Sequence, residues 1–198
     1  MNILPHHIAA TFLLGGLIVG GYFTFNALTP PSLDNHLRNL GIEILSSGWD
    51  AKEAEYKKTE APDLIPSISK TEVQNKIPDF ASNLEKWCKK YKEKYFLGID
   101  DANYKRFSLW CTSTIRVDAI LGKRVGLIAL VDNEVETVFN TYNDATNTDK
   151  FLGSPSKPKT ALTSADLTSW CTKKKAENYK YESDPDFKRV IKWCYKKA

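Results

Sequence analysis

The residues best placed to do chemistry are four cysteines, and a tryptophan precedes each one: Trp87-Cys88, Trp110-Cys111, Trp170-Cys171 and Trp193-Cys194. Cys88 and Cys111 are 23 residues apart, Cys171 and Cys194 are also 23 apart, and the whole pattern recurs at an offset of 83. Thiols so spaced have four uses: a disulfide, a buried apolar side chain, a zinc ligand or a nucleophile. Zinc sites draw on CxxC pairs and histidines; no CxxC occurs here, and no His lies beyond His36. A catalytic thiol needs a base at hand, and no His is near any Cys in sequence. Disulfides and buried free thiols stay open. In a helical hairpin turning near residues 96–101, Cys88 lies about 10 Å before the turn and Cys111 about 13 Å beyond it. The two are nearly level, so Cys88–Cys111 and Cys171–Cys194 are the expected bridges among three connectivities. Each would stabilise its unit by roughly 3 kcal/mol and points to an oxidising compartment. Free thiols packed beside Trp in a reducing cytosol are the alternative. The tryptophans read most simply as core, each burying a large apolar area.

The elements that must position these pairs are duplicated. Leu84–Cys111 laid over Leu167–Cys194 without gaps gives ten identities in 28 positions, among them Asp101/Asp184, Lys105/Lys188 and Arg106/Arg189. Upstream, Gly41-Ile-Glu-Ile-Leu45 resembles Gly126-Leu-Ile-Ala-Leu130, and Tyr56 pairs with Tyr142. Two units follow, 32–113 and 114–198. After Pro78, Phe80, Leu84, Trp87, Cys88, Tyr91 and Tyr95 recur at helical spacing. Asp101 caps a second helix carrying Tyr104, Phe107 and Cys111. In unit two, Ser164 caps a helix with Leu167, Trp170 and Cys171, and Asp184-Pro185 opens one with Phe187, Val190, Ile191 and Cys194. Trp49–Lys58 and Asn133–Tyr142 read as helices, Gly41–Ser46 and Val125–Val131 as short strands, and 59–70 and 144–160 as loops. The fold class is mainly α: two tandem similar helical units that admit short strands, after one N-terminal transmembrane helix.

The last element comes from charge. No Asp, Glu, Lys or Arg occurs before Asp34. Ile8–Leu28 is an uncharged run closed by Pro30 and Pro31, and about 20 apolar residues span a hydrocarbon core of about 30 Å. Residues 1–31 therefore read as a membrane anchor inserted through residues 8–28. A cleaved signal peptide fits less well, for no Lys or Arg precedes the apolar run and Phe25-Asn26-Ala27 is no small-x-small site. Gly16 and Gly20 form a GxxxG pattern that would let two such helices approach, without fixing an oligomeric state. Arg38 is the one positive residue close to the segment, a slight lean towards a cytoplasmic body; the cysteines lean the other way.

Several function classes are disfavoured. The net charge of +4 is too modest for a dedicated nucleic-acid binder. Phosphate-binding, zinc-protease and serine-hydrolase motifs are absent. His6, His7 and His36 all lie in or near the apolar segment, which removes the usual acid–base residue from the body. Asp100, Asp101, Asp184 and Asp186 sit at predicted helix starts, where capping accounts for them. Lys173-Lys174-Lys175 and Lys196-Lys197 read as solvated helix faces and ends, with polyanion binding as the alternative. No catalytic, cofactor or metal residue is expected.

An uncharged membrane helix followed by paired motifs such as Leu84-Glu-Lys-Trp-Cys88 and Val190-Ile-Lys-Trp-Cys194 resembles the large paralogous families of membrane-anchored proteins in haemotropic mycoplasmas. The resemblance implies the plasma membrane of a wall-less bacterium, an outward-facing single-pass surface protein, and a role in contact with a host protein or in antigenic variation. It carries over no functional residues. The lack of a lipobox Cys near the apolar run departs from mycoplasma lipoproteins, so anchoring would rest on the helix alone. A cytoplasm-facing tethered scaffold with free thiols is the competing expectation.

Overall fold

The computed structural model describes residues 29–75, 79–144, 146–152 and 161–198. The expected membrane helix, its GxxxG pattern and Pro78 lie outside them. Among the described residues no helix is long and apolar enough to cross a membrane. Residues Pro31–Ala198 form one compact unit, mainly helical.

Helix α1 spans Leu33–Asn39: the Ser32 hydroxyl accepts from the Asn35 N–H (3.2 Å), and Leu33 and Leu37, one turn apart, are fully buried. Gly48, at φ 73°, turns the chain into a 3-10 helix, Trp49–Lys52, that continues as α2, Glu53–Tyr56. The helix expected to reach Lys58 thus stops short. A helix α3, Lys70–Gln74, capped by Ser69, lies where a loop was expected to end. Helix α4, Phe80–Tyr91, carries Cys88, and α5, Ala102–Trp110, starts at Asp101, whose carboxylate accepts from the Tyr104 N–H (2.8 Å). Helix α6 spans Val117–Leu121, strand β1 Leu127–Ala129, and α7 Asp132–Asn143.

Helix α8, Ser164–Ala176, corrects the expected cap. Thr163 is the N-cap: Asp166 three residues on accepts from its N–H (2.7 Å) and its hydroxyl (2.9 Å), as in a capping box. The Ser164 hydroxyl instead donates to Glu136 (2.7 Å). Helix α9, Pro185–Cys194, begins as expected, with Asp184 accepting from the Phe187 N–H (2.9 Å) and Pro185 in the first turn. A strand β2, Tyr195–Lys197, follows Cys194 directly and pairs antiparallel with β1, Ala129 opposite Tyr195. The Gly41–Ser46 segment supplies one bridge, Ile44 with Thr112.

The sequence duplication is a duplication of structure. Cys88–Cys111 joins α4 to the end of α5 with Cα atoms 5.5 Å apart, and Cys171–Cys194 joins α8 to the end of α9 at 5.6 Å. The Leu45 N–H donates to the Cys111 carbonyl (2.9 Å) and the Leu130 N–H to the Cys194 carbonyl (3.1 Å). The Phe96 N–H donates to the Pro31 carbonyl and the Tyr179 N–H to the Ile115 carbonyl, both at 2.8 Å. Gly41 and Gly126 both adopt the left-handed region, φ 74° and 83°, which Gly enters without a Cβ clash.

The Tyr56/Tyr142 correspondence acquires a physical meaning. Both rings are fully buried and pack against the second Trp of their repeat, at 4.8 Å from Trp110 and 5.2 Å from Trp193. Each hydroxyl pins a downstream loop. Tyr56 accepts from the Ile65 N–H (3.0 Å) and donates to the Ile68 carbonyl (2.9 Å); Tyr142 accepts from the Leu152 N–H (2.7 Å). The repeated Trp and Arg finish the job. The Trp110 indole donates to the Asp63 carbonyl (2.7 Å) and Arg106 to that of Leu64 (2.8 Å). Trp193 and Arg189 both donate to the Asp149 carboxylate, at 3.4 and 2.9 Å.

Two measurements check this frame. Replacing Cys88 and Cys111 together by Ala, or Cys171 and Cys194 together, is expected to cost about 3 kcal/mol per pair in urea unfolding of the full chain in detergent. Tyr56→Phe strands a buried N–H and carbonyl, and Tyr142→Phe a buried N–H, so each is expected to cost about 1–3 kcal/mol. A loss below about 0.5 kcal/mol at both tyrosines would remove the pinning role.

A polar junction between the repeats as candidate functional site

The expected site residues fall into structural places. All four cysteines are buried, with residue exposures of 7% or less, and all are paired. Trp87 is core, stacked on Tyr91 at 4.3 Å; Trp170 is half-buried against Phe151 at 4.3 Å. Asp101 and Asp184 are N-caps. Asp100 pairs with Lys105 (3.3 Å), whose hydrogen bond holds its carboxyl below the usual carboxylate value. Asp186 lies between Lys174 (2.7 Å) and Arg189 (3.4 Å). Lys173–Lys175 end α8, with Lys174 committed to Glu177 and Asp186, and Lys196 in β2 pairs with Glu134. Of these residues, Lys174, Asp184 and Asp186 line one small cleft of about 70 Å³ with Glu177 and Lys180, where Asp184 is held as an N-cap and Asp186 between two cations. Among the described residues no group of three or more His, Cys, Asp or Glu side chains is assembled to hold a metal.

What the structure does bring together lies where the repeats meet. Each repeat has a T-shaped aromatic pair at equivalent positions, Phe96 with Tyr104 and Tyr179 with Phe187, both at 5.0 Å and 78°. The hydroxyl sits on the helix residue in one repeat and on the loop residue in the other. The two hydroxyls meet across the junction at 3.3 Å. Burial pushes both phenols well above the usual tyrosine value. Ser108 donates to the Lys180 carbonyl and Ser183 to the Ile99 carbonyl, each at 2.6 Å.

Glu182 is the hub of this junction. Its Oε2 pairs with His36 Nε2 (2.8 Å) and accepts from the Tyr104 hydroxyl (3.1 Å); its Oε1 accepts from Arg124 (3.0 Å). Both nitrogen partners are backed by a ring: His36 stacks on Phe96 at 3.6 Å, and Arg124 lies over Phe187 at 5.3 Å. Burial alone would raise the Glu182 carboxyl, but the His36, Tyr104 and Arg124 interactions together hold it below its ordinary value. His36, close to the apolar segment in sequence, belongs to α1 and not to that segment. Ser32 as cap and the Leu33/Leu37 spacing are the signals that assign His36 to a helix of the body. Nothing local marks Glu182.

Beside the hub a cleft of about 210 Å³ opens where the two repeats join, lined by Lys52, Glu55, Thr112, Ser113 and residues 177–180. Tyr179 contributes to its wall; His36, Glu182 and Arg124 do not. The His36–Glu182 pair is therefore a closed hydrogen-bonded joint, and Lys52 lines the open space. No family model, curated protein or solved structure matches the chain.

Glu182 makes stability depend on pH with a definite sign. Its folded carboxyl titrates below the ordinary value of 4.5. The stabilisation is therefore present above that value and is lost as pH falls through the depressed one. Glu182→Gln is expected to cost about 2 kcal/mol at neutral pH, because it leaves the half-buried Arg124 without its counter-ion and removes the carboxylate that His36 and Tyr104 face. It should also flatten the fall in urea midpoint between about pH 5 and 3. Equal acid slopes in both proteins would remove Glu182 from that role.

Proposed function

We propose that the chain is a non-enzymatic surface protein: a single-pass anchor through residues 8–28 holds residues 34–198 outside the cell, where they contact a host protein or vary antigenically. The observation that carries this reading is that every cysteine is spent on a buried disulfide, one per repeat. Such bridges persist in oxidising surroundings and are rare in a reducing cytosol. The resemblance to the haemotropic mycoplasma families supplies the setting.

The use of the repeated residues supports the same reading. Cys, Trp, Tyr, Arg and Asp at equivalent positions act as clamps, loop pins and caps. The surface positions between them carry ion pairs such as Lys89–Glu85 and Lys57–Glu53, which contribute little to stability, and a fixed frame under a changeable surface is what display requires. Carboxylate chemistry draws no support from Asp101 and Asp184, which cap helices, or from Asp186, which is held between two cations. The second reading, a cytoplasm-facing tethered scaffold, has Arg38 in its favour as the positive residue flanking the segment.

Protease added to intact cells is expected to digest residues 34–198, and mass spectrometry without reductant to recover a Cys88–Cys111 cross-link. A body that survives until the cells are lysed, with four thiols that alkylate without reductant, would overturn the surface reading in favour of the scaffold.

A further inference from the structure

Lys52 lies in the wall of the junction cleft and is 9% exposed. Its ammonium donates to the Leu109 carbonyl (3.2 Å) near the end of α5, which answers one of three donors. Among the described residues no carboxylate reaches it within ion-pair distance; Glu55 acts on it from farther off. Buried charges are ordinarily paired, because a charge removed from water is costly without a counter-ion. Lys174 and Glu182, the other half-buried charges of this region, both follow that rule.

We infer that the junction cleft binds a small monocarboxylate, with Lys52 as the cation that receives it. The surroundings narrow the class. Lys180, also in the lining, is a second cation with no side-chain partner among the described residues, and Ser113, Thr114 and Asn178 offer unused side-chain donors. Glu177 makes no ion pair with Lys52; it pairs with Lys174 (2.8 Å), which it shares with Asp186. Glu55 at the exposed rim accepts hydrogen bonds and repels a second negative charge. The ligand that satisfies both ends carries one carboxylate and a neighbouring hydroxyl or ammonium, as hydroxy acids and amino acids do. A volume of about 210 Å³ restricts the ligand to a small molecule. Burial lowers the affinity of Lys52 for its proton, with Glu55 opposing; a bound carboxylate reverses that shift and protects the amine.

The test uses the full chain in detergent with lactate as probe, and 1,2-propanediol and citrate as controls. Saturation-transfer NMR is expected to give saturable lactate binding with a Kd on the order of 1 mM, no saturable binding of the diol, and at least tenfold weaker binding of citrate. Lys52→Met is expected to weaken lactate at least about tenfold while leaving the circular dichroism of the chain unchanged. A second measurement needs no variant: lactate should slow acylation of Lys52 by a small amine-reactive reagent, read by peptide mass spectrometry, without slowing surface lysines. Absence of saturable lactate binding, binding that survives Lys52→Met in a folded chain, or Lys52 acylation that ignores lactate would each overturn the assignment.

Discussion

Everything in each repeat hangs on one covalent contact placed at the end of a helix. The second cysteine of each pair closes its helix: Cys111 follows α5 and Cys194 ends α9. The disulfide therefore fixes where the chain leaves the hairpin as well as how its helices are aligned. The carbonyls of Cys111 and Cys194 receive the first hydrogen bonds from Leu45 and Leu130. The residues after them run alongside the upstream segment of the same repeat, as one bridge in repeat one and as β1–β2 in repeat two. A repeat this small buries too little of its surface to be secure alone, and the clamp supplements its core. The tryptophan beside each second cysteine extends the effect, because its indole ties the clamped helix to the loop that the buried tyrosine pins.

Duplication gives two copies of a frame, but the joint between them needs differences. A hydroxyl buried alone at Tyr104 or at Tyr179 would lose water without compensation. Placing it on opposite members of equivalent aromatic pairs lets the two hydroxyls satisfy one another, and Tyr104 also donates to Glu182. Glu182 occupies the position that Ile99 holds in repeat one, and His36 the position of Ile120. An apolar position in one copy has become a polar partner of the other. The joint is thus specific for one order of the two repeats.

The parts of the fold legible in the sequence were those where rare residues repeat. Trp-Cys spacing located the hairpins, and Asp101 and Asp184 gave their helix starts, because a carboxylate before a helix has one local use. The Tyr56/Tyr142 pairing was visible only as a likeness. Its purpose was hidden, because a tyrosine hydroxyl's partner nine or ten residues away leaves no mark in composition. Strand β2 was missed for a similar reason: Tyr-Lys-Lys at a helix end reads as a solvated terminus, and pairing with Leu127–Ala129 turns it into a strand. Thr163 outranked Ser164 as a cap through Asp166, whose reach back is a matter of side-chain geometry. His36, Glu182 and Lys52 carry no pattern at all, since what makes each unusual is the charge it faces across the junction.

That contrast decides where function is to be sought in this chain. The shared cysteines, Arg106 and Arg189, Trp110 and Trp193, and Asp101 and Asp184 are occupied: in clamps, on loops and on helix ends. Their chemistry is used up within the fold. The unshared His36, Glu182 and Lys52 lie instead where the two repeats meet. A charge such as Glu182 that is fully answered there serves as a joint. Lys52, with one carbonyl and an open cleft, is answered only in part. The asymmetry that makes two copies into one body is therefore also what leaves a place for a third party.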